Sequence, residues 1–277
     1  MIAQPLDTLT GLSFVAAKAR AYFELLKFRL SFLVAFSCAF GYMLGSREVN
    51  IFTLSMLFVG GFLLSGASIV INQIIEKDLD GLMSRTKNRP LPTARLTVPE
   101  AVAFCILCFF TGVAILLAYT NLLTTSLSVV SMILYGFVYT PLKRFGPIAV
   151  FVGAIPGALP PLLGWTAATG AISHEALIIF GIQFICQFPH FWAIPWVADD
   201  DYKKAGFKLL PSGGQKDLNT AIQIMIYTMC LIPLGLLPAT FGITGINSAA
   251  VATVCGVIFF AQTFSLMKSG DRSSALK

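Results

Sequence analysis

Three oxygen-bearing side chains follow one another at four-residue intervals near the end of an apolar stretch: Asn72, Glu76 and Asp80. Residues four apart on a helix lie on one face, so the spacing predicts that all three side chains point the same way. Oxygen ligands suit Mg²⁺, which commonly binds through a few carboxylates and the phosphates of a substrate. Polar groups within an apolar segment are costly and indicate a functional site. For Asn72 alone, a hydrogen bond between two membrane helices is the alternative.

A basic segment follows this acidic face directly, Arg85-Thr-Lys-Asn-Arg89-Pro-Leu-Pro92. Guanidinium groups bind phosphate oxygens with two parallel hydrogen bonds, so Arg85 and Arg89 are candidate diphosphate ligands. Lys143 and Arg144 end the fourth apolar span at the same level and are candidates for the same role, with ordinary charge anchoring at the membrane surface as the alternative. The acidic and basic residues together predict a magnesium–diphosphate site at a membrane surface.

The composition predicts a membrane protein. The chain is 56% hydrophobic and 12% charged over 277 residues, and its mean hydropathy is +0.81. A soluble domain carries about twice that charged fraction. Eight apolar segments approach the roughly 20 residues that cross a bilayer. Their predicted limits are 29–46, 51–75, 98–119, 121–141, 147–170, 175–198, 219–242 and 247–267. We therefore expect an all-α, polytopic helix bundle that forms a single domain over residues 1–277.

The basic residues predict how this bundle is oriented. Lysines and arginines concentrate before the first span, after every even-numbered span and in the tail, whereas Arg47 lies on the opposite side. Because basic loops stay in the cytoplasm, residues 1–28 and the tail 268–277 are both expected there. The net charge of +6 then reflects topology, and nucleic-acid binding is not expected. The predicted location is a bacterial cytoplasmic (inner) membrane.

The sixth span carries a second group of polar residues. His190 lies inside the apolar segment, and Asp201 follows eleven residues later, which would place both on one helical face. A histidine in a membrane helix either hydrogen-bonds to a neighbouring helix or ligates a metal such as haem iron. Asp201 ends an acidic run that would face the first acidic group, and two such groups can hold more than one Mg²⁺ together with a diphosphate. The shift of four spans between the two acidic groups suggests a parallel 4+4 repeat around a central cavity that opens at the cytoplasmic edge.

These motifs resemble those of the protoheme IX farnesyltransferases (haem O synthases), which belong to the UbiA-like intramembrane prenyltransferases. The resemblance runs from about residue 20 to the end of the chain. It rests on Asn72-x3-Glu76-x3-Asp80 with Met83-x-Arg85-Thr-x2-Arg89-Pro-Leu-Pro92, on Pro189-His190-Phe-Trp192 and on Asp201-Tyr-x2-Ala-Gly206. Glu76 in place of the usual aspartate, and the Pro-His pair, distinguish the chain from quinone-forming relatives. The family has a second aspartate-containing motif, which here ends in Asp201. Val197 stands where that motif usually has its first aspartate. The family usually has nine transmembrane helices, whereas eight are predicted here before Lys277, so either a ninth follows the tail or this homologue lacks it.

The resemblance implies farnesyl transfer from farnesyl diphosphate to a vinyl group of haem B, with Mg²⁺ as cofactor. It also implies that a haem A synthase or a terminal oxidase receives the product. The implied magnesium ligands are Asn72, Glu76, Asp80 and Asp201. The implied diphosphate ligands are Arg85, Arg89, Lys143 and Arg144, of which Arg85, Arg89 and Lys143 are alternative ligands of the haem propionates. His190 is the implied haem contact.

Three other functions fit parts of the sequence. A prenyltransferase for an aromatic quinone precursor would use the same metal site. A phosphotransferase for nucleotide-activated alcohols shares Asp80-Gly81-x2-Ser84-Arg85, but Lys77 stands where its first aspartate belongs. A secondary transporter would hold its polar residues near the middle of the bilayer, whereas these polar residues lie at one edge.

Overall fold

The structure is a computed structural model that describes residues 11–269, and all regular secondary structure in this range is helical. Residues 1–10 and 270–277, which belong to the two predicted cytoplasmic segments, lie outside the described residues. The helices are α1 Leu12–Leu25, α2 Phe28–Gly45, α3 Ile51–Ile75, α4 Lys77–Leu82, α5 Val98–Tyr119, α6 Leu122–Ile133, α7 Thr140–Leu142, α8 Ile148–Thr169, α9 His174–Val197, α10 Asp199–Lys204, α11 Leu218–Leu234, α12 Leu237–Thr240 and α13 Ile246–Ser269. A π-helical segment, Leu134–Tyr139, joins α6 to α7.

The predicted all-α membrane bundle is confirmed. Eight helical segments in the described part of the chain are long and apolar enough to cross a bilayer: Phe28–Gly45, Ile51–Ile75, Val98–Tyr119, Leu122–Leu142, Ile148–Thr169, His174–Val197, Leu218–Thr240 and Ile246–Phe264. Their bounds agree with the predicted limits to within a few residues. The chain is an integral membrane protein, and many leucine, isoleucine and phenylalanine side chains of its long helices are exposed.

The segment before the first span contains a helix that the sequence reasoning missed. Ala21 and Leu25, four residues apart on α1, are fully buried against the bundle. Lys18 Nζ lies 2.7 Å from Glu100 Oε1, which ties α1 to the start of α5. The four-residue spacing of buried apolar positions is the signal that could have predicted this helix.

Close packing of α2 against α8 forms one wall of the interior. A Cβ added at Gly41 would collide with the backbone of Pro161, and one added at Gly164 would collide with the carbonyl of Cys38. These glycines therefore let the two backbones approach closely, as small residues do in membrane bundles. On the other side of the interior, α3 packs against α2, α5 and α6, and α9 packs against α8 and α11.

Candidate active site

A cavity of about 820 Å³ lies between these helices, and one end of it is strongly charged. We call this end the rim. The charged side chains that line it are Lys27, Glu76, Asp80, Arg85, Arg89 and Lys143. The remaining walls are mostly apolar and come from α2, α3, α8 and α9, with Leu33, Leu64 and Ile194 among them. The cavity therefore has an ionic end and a hydrocarbon-like interior.

The acidic face is built across a break between two helices. α3 ends at Ile75 and α4 begins at Lys77, so the predicted single helix through Asp80 is interrupted at Glu76. Backbone hydrogen bonds from Glu76 N to Asn72 O (3.0 Å) and from Asp80 N to Glu76 O (2.8 Å) preserve the four-residue spacing. As a result Asn72, Glu76 and Asp80 all line the cavity, as the spacing predicted.

Both buried carboxylates of this face are paired with a cation. Arg89 Nη1 donates to Asp80 Oδ2 at 2.5 Å, and Lys143 Nζ lies 2.8 Å from Glu76 Oε1. The carboxylates are almost fully buried, at 1% exposure for Asp80 and 4% for Glu76. A buried charge requires such a partner. The pairs also hold two cations at the rim, where an anionic ligand could attract them.

The oxygen atoms of this face fit a divalent cation. Asp80 Oδ1 is buried and receives no hydrogen bond from the described residues. Asn72 donates a hydrogen bond from its Nδ2 to Thr140 Oγ1 at 3.1 Å, and its Oδ1 has no hydrogen bond with the described residues. The described residues contain no group of three or more His, Cys, Asp or Glu side chains arranged as a metal site. A magnesium ion here would therefore need ligands from a substrate, as is usual for Mg²⁺.

Thr140, the partner of the Asn72 amide, directly follows the π-helical segment. Thr140 Oγ1 donates to the carbonyl of Tyr135 at 2.9 Å, so the Asn72–Thr140 bond connects α3 to the wider turn. π-Helical turns occur frequently at functional sites. Tyr135 and Tyr139 line the cavity below Lys143. The interhelical bond that the sequence offered as an alternative for Asn72 is thus present, and it coexists with a place at the cavity.

Lys27 is a rim residue that the sequence reasoning did not single out. It lies between α1 and α2 in the left-handed region, with φ 44°, and this turn directs the chain from one helix into the next. The pKa of Lys27 is lowered to about 7, mainly by burial and then by the nearby charges of Arg89 and Lys143, while Asp80 acts in the opposite direction. An anion at the rim would favour its protonated form.

The two remaining predicted diphosphate ligands differ in position. Arg85 lines the cavity, and its guanidinium lies 6.0 Å from the ring centre of Tyr202, another cavity residue. Arg144 is exposed and lies beside a separate, smaller depression that includes Pro141 and Phe145. Because consecutive residues at the end of a helix point in different directions, Lys143 reaches the rim and Arg144 does not.

Asp201 does not lie on the same helical face as His190, contrary to the prediction from the sequence spacing. α9 ends at Val197 and Asp201 falls in α10, so the face predicted to be shared with His190 is lost. Its carboxylate accepts hydrogen bonds from Ser84 N (3.1 Å), Ser84 Oγ (2.5 Å) and Arg85 N (3.1 Å). These bonds, above all those from Ser84, lower the pKa of Asp201 to about 2. Asp201 is not among the cavity-lining residues, and it holds the loop that carries Arg85.

His190 lines the cavity from α9, with its side chain exposed to the open interior. It makes no hydrogen bond with the other described residues, so the helix-bridging alternative is absent there. Counted back from Val197 at roughly 1.5 Å per residue, it lies about 10 Å below the rim. The ring nitrogens are therefore available to a ligand in the interior.

Fold and site together define a membrane-embedded prenyltransferase. The chain matches the UbiA prenyltransferase family over residues 34–277 and belongs to that family. A digeranylgeranylglyceryl phosphate synthase has the same fold, with a TM-score of 0.76, 20% identity, and coverage of 94% of this chain and 91% of the other. A UbiA homologue from Archaeoglobus fulgidus bound to DMAPP and Mg²⁺ gives a TM-score of 0.68 at 18% identity, covering 88% of this chain and 86% of that one.

Curated relatives narrow the assignment within the family. A protoheme IX farnesyltransferase from Cytophaga hutchinsonii is 49% identical over 263 residues, which cover 95% of this chain and 92% of the relative. One from Christiangramia forsetii is 49% identical over 238 residues, covering 86% and 77%. The mitochondrial protoheme IX farnesyltransferase of Arabidopsis thaliana is 36% identical over 265 residues, covering 94% and 61%. The chain belongs to the protoheme IX farnesyltransferases, and the resemblance inferred from the motifs is confirmed.

Proposed function

We propose that this protein transfers the farnesyl group of farnesyl diphosphate to a vinyl group of haem B and thereby forms haem O. The observation that carries the proposal is the two-part cavity. Its charged rim suits a diphosphate, and its apolar interior suits both a prenyl chain and a porphyrin. The names of the 49% identical relatives support the same pair of substrates.

We infer that Asn72, Glu76 and Asp80 hold Mg²⁺ through their side-chain oxygens. When bound, Mg²⁺ supplies positive charge that stabilises the departing diphosphate. Arg89 and Lys143 exchange their carboxylate partners for phosphate oxygens as the substrate enters, because the carboxylates are then needed by the metal. Arg85 and Lys27 complete the cationic lining of the same end.

The chain's own residues support each bond change. The allylic C–O bond breaks with its electron pair on the diphosphate, whose charge Arg85, Arg89 and Lys143 balance. The faces of Tyr135 and Tyr139 stabilise the allylic cation, as aromatic rings do. The vinyl group then attacks this cation and leaves a positive charge beside the porphyrin. Water adds there and loses a proton to the solvent or the diphosphate. Until that step the apolar walls exclude water from the farnesyl cation.

His190 favours haem over an aromatic quinone precursor as the acceptor. A neutral imidazole is an axial ligand of haem iron in many proteins. In this cavity its ring has no hydrogen bond to the described residues and faces open space. Asp201, by contrast, is inferred to position the Ser84–Arg85 loop instead of binding the metal, because its oxygens are already occupied by that loop.

The placement in the membrane follows from the charge pattern. We propose that residues 1–277 act as one domain, with the rim and the N-terminus on the cytoplasmic side of a bacterial inner membrane. Farnesyl diphosphate would then reach the rim from the cytoplasm, while its tail and haem B partition from the lipid. A haem A synthase or a terminal oxidase in the same membrane would receive the product.

An acceptor competition tests the proposal. Purified protein in lipid vesicles receives Mg²⁺ and farnesyl diphosphate with equal amounts of haem B and an aromatic hydroxy acid, and the products are identified by mass spectrometry. We expect farnesylated porphyrin and no prenylated acid. Prenylation of the acid with haem B left unchanged would replace this proposal with the quinone-type activity.

A further inference from the structure

A second set of polar side chains lines the cavity well below the rim. We call it the polar belt, and its members are Ser37, Ser65, Ser131 and Gln187. They come from α2, α3, α6 and α9, respectively. Counted along each membrane-spanning segment from its rim end, taken as Phe28, Ile75, Leu142 and Val197, at roughly 1.5 Å per residue, the four lie about 14–17 Å deep. Polar groups from four different helices therefore lie at a similar depth in the cavity. Other polar side chains line it at different depths: Ser68, Ser128, Gln183, Gln262 and Thr263.

The belt side chains are available to a ligand. Serine hydroxyls in helices commonly bond to the carbonyl four residues earlier, as Ser128 does with Thr124 O at 2.7 Å. The side chains of Ser65, Ser131 and Gln187, by contrast, make no hydrogen bond with any of the described residues. Gln187 is nevertheless only 9% exposed. Its amide makes no hydrogen bond with the described residues and lies on the cavity wall, so a bound group can take up these hydrogen bonds.

Gly157 on α8 makes room for the Gln187 amide. A Cβ added at Gly157 would lie 2.5 Å from Gln187 Oε1 and 2.8 Å from its Cδ. Any larger residue would therefore push the amide out of its present position. The glycine and the glutamine act as a pair that keeps a polar group at this depth of the cavity.

The chemistry of the belt defines what it can bind. Hydroxyl and amide groups both donate and accept hydrogen bonds, whereas a prenyl chain offers neither. The lysines and arginines that line the cavity are all at the rim: Lys27, Arg85, Arg89 and Lys143. An ionised carboxylate at the belt would thus be buried without a counter-charge, which is strongly unfavourable. A protonated carboxylic acid, with one donor and one acceptor, fits instead.

We propose that the polar belt binds the propionic acid groups of the acceptor porphyrin in their protonated form and so orients the ring in the cavity. This inference rests on the proposed function. Vinyl and propionic acid groups lie at opposite edges of haem B. At roughly 1.5 Å per residue, Asn72 lies about 5 Å, His190 about 10 Å and the belt about 15 Å below the rim. A ring with its iron at His190 then directs a vinyl group to the diphosphate and its acids to the belt.

Binding measurements on the purified full chain test this orientation. We expect Gln187→Leu, and separately the double variant Ser65→Ala/Ser131→Ala, to weaken haem B binding about tenfold, since each removes hydrogen bonds to the ligand. Binding of Mg²⁺–farnesyl diphosphate should stay within about twofold of wild type, because the rim is unchanged. That measurement also reports that each variant is folded. Ser128→Ala is the matched control, since its hydroxyl already has an internal partner.

Binding of the dimethyl ester of haem B shows whether the propionic acid groups bind at the belt or at the rim. Because the belt takes neutral groups that can still accept hydrogen bonds, wild-type protein should bind the ester within about tenfold of haem B. Unchanged haem B binding in both belt variants would overturn the proposal. It would also be overturned if the wild-type protein did not bind the ester and Arg85→Gln did not bind haem B, because the propionic acid groups would then bind at the rim. A wild-type protein that binds farnesyl diphosphate but not haem B would instead refute the proposed function itself, and the belt's role with it.

Discussion

Arg89 Nη1 lies 2.5 Å from Asp80 Oδ2, while the other oxygen of the same carboxylate is buried and receives no hydrogen bond from the described part of the chain. One side chain thus presents a paired atom and an open atom to the same end of the cavity. The ion pair with Arg89 stabilises the buried carboxylate of Asp80 when no substrate is bound. The second oxygen can bind a cation without any rearrangement of the helices.

Asp80→Ala is expected to reduce turnover at least about a hundredfold, because loss of a magnesium ligand removes several kcal/mol of charge stabilisation from the leaving diphosphate. Steady-state rates with Mg²⁺ and farnesyl diphosphate measure the effect. Asp78→Ala on the same short helix is the control, since Asp78 is exposed and away from the cavity. Chelation of Mg²⁺ should abolish turnover in both the wild type and the control. Near-normal turnover of Asp80→Ala would remove Asp80 from the site.

Asp201→Asn is expected to lower kcat without changing the Mg²⁺ concentration that gives half-maximal rate. The amide cannot accept all three hydrogen bonds from Ser84 and Arg85, so the loop that carries Arg85 loosens, while the ligands of the metal remain. A magnesium titration of the initial rate distinguishes the two roles. A large rise in the required Mg²⁺ concentration would instead make Asp201 a metal ligand, as the sequence alone suggested.

Lys27 should make diphosphate binding depend on pH. Its pKa of about 7 in the free protein means that it is protonated below pH 7 and loses its charge above it. A bound diphosphate favours the protonated form, so binding above pH 7 takes up a proton, and affinity falls by up to about tenfold per pH unit. Titrations of Mg²⁺–farnesyl diphosphate from pH 6 to pH 9 measure this slope.

The substitution Lys27→Gln isolates that contribution. It should weaken binding at pH 6.5 and remove the additional pH dependence, whereas Lys87→Gln, an exposed position in the loop after α4, should change neither. The ligand's own titration is common to all three proteins and cancels in the comparison. The same slope in Lys27→Gln as in the wild type would assign the pH dependence to another group.

His190→Ala is expected to impair haem B binding and farnesyl transfer while leaving farnesyl diphosphate binding intact, since the histidine lies below the rim and away from the phosphates. If the imidazole ligates iron, the absorption spectrum of bound haem shifts in the variant. An identical spectrum with unchanged activity would demote His190 to a packing residue. Selectivity for haem would then depend on other cavity residues, of which the polar belt is the first candidate.

Local spacing in the sequence predicted the parts of this site that depend on one helix. Asn72, Glu76 and Asp80 face the cavity because the four-residue interval survives the break at Glu76. The parts that depend on tertiary packing were not predictable in this way. Lys27 reaches the rim through a left-handed turn, and Asp201 bonds to a loop 117 residues earlier in the chain. Neither relationship leaves a periodic signal in the sequence.

Analysis of the porphyrin product tests the central claim most directly. Purified protein is incubated with Mg²⁺, farnesyl diphosphate and haem B in water labelled with heavy oxygen, and the porphyrins are separated and weighed by mass spectrometry. We expect a product that contains haem B, one farnesyl unit and one labelled hydroxyl group, because the cation left on the former vinyl carbon is captured by water. Haem B recovered unchanged, while farnesyl diphosphate is consumed or another acceptor is prenylated, would contradict the account.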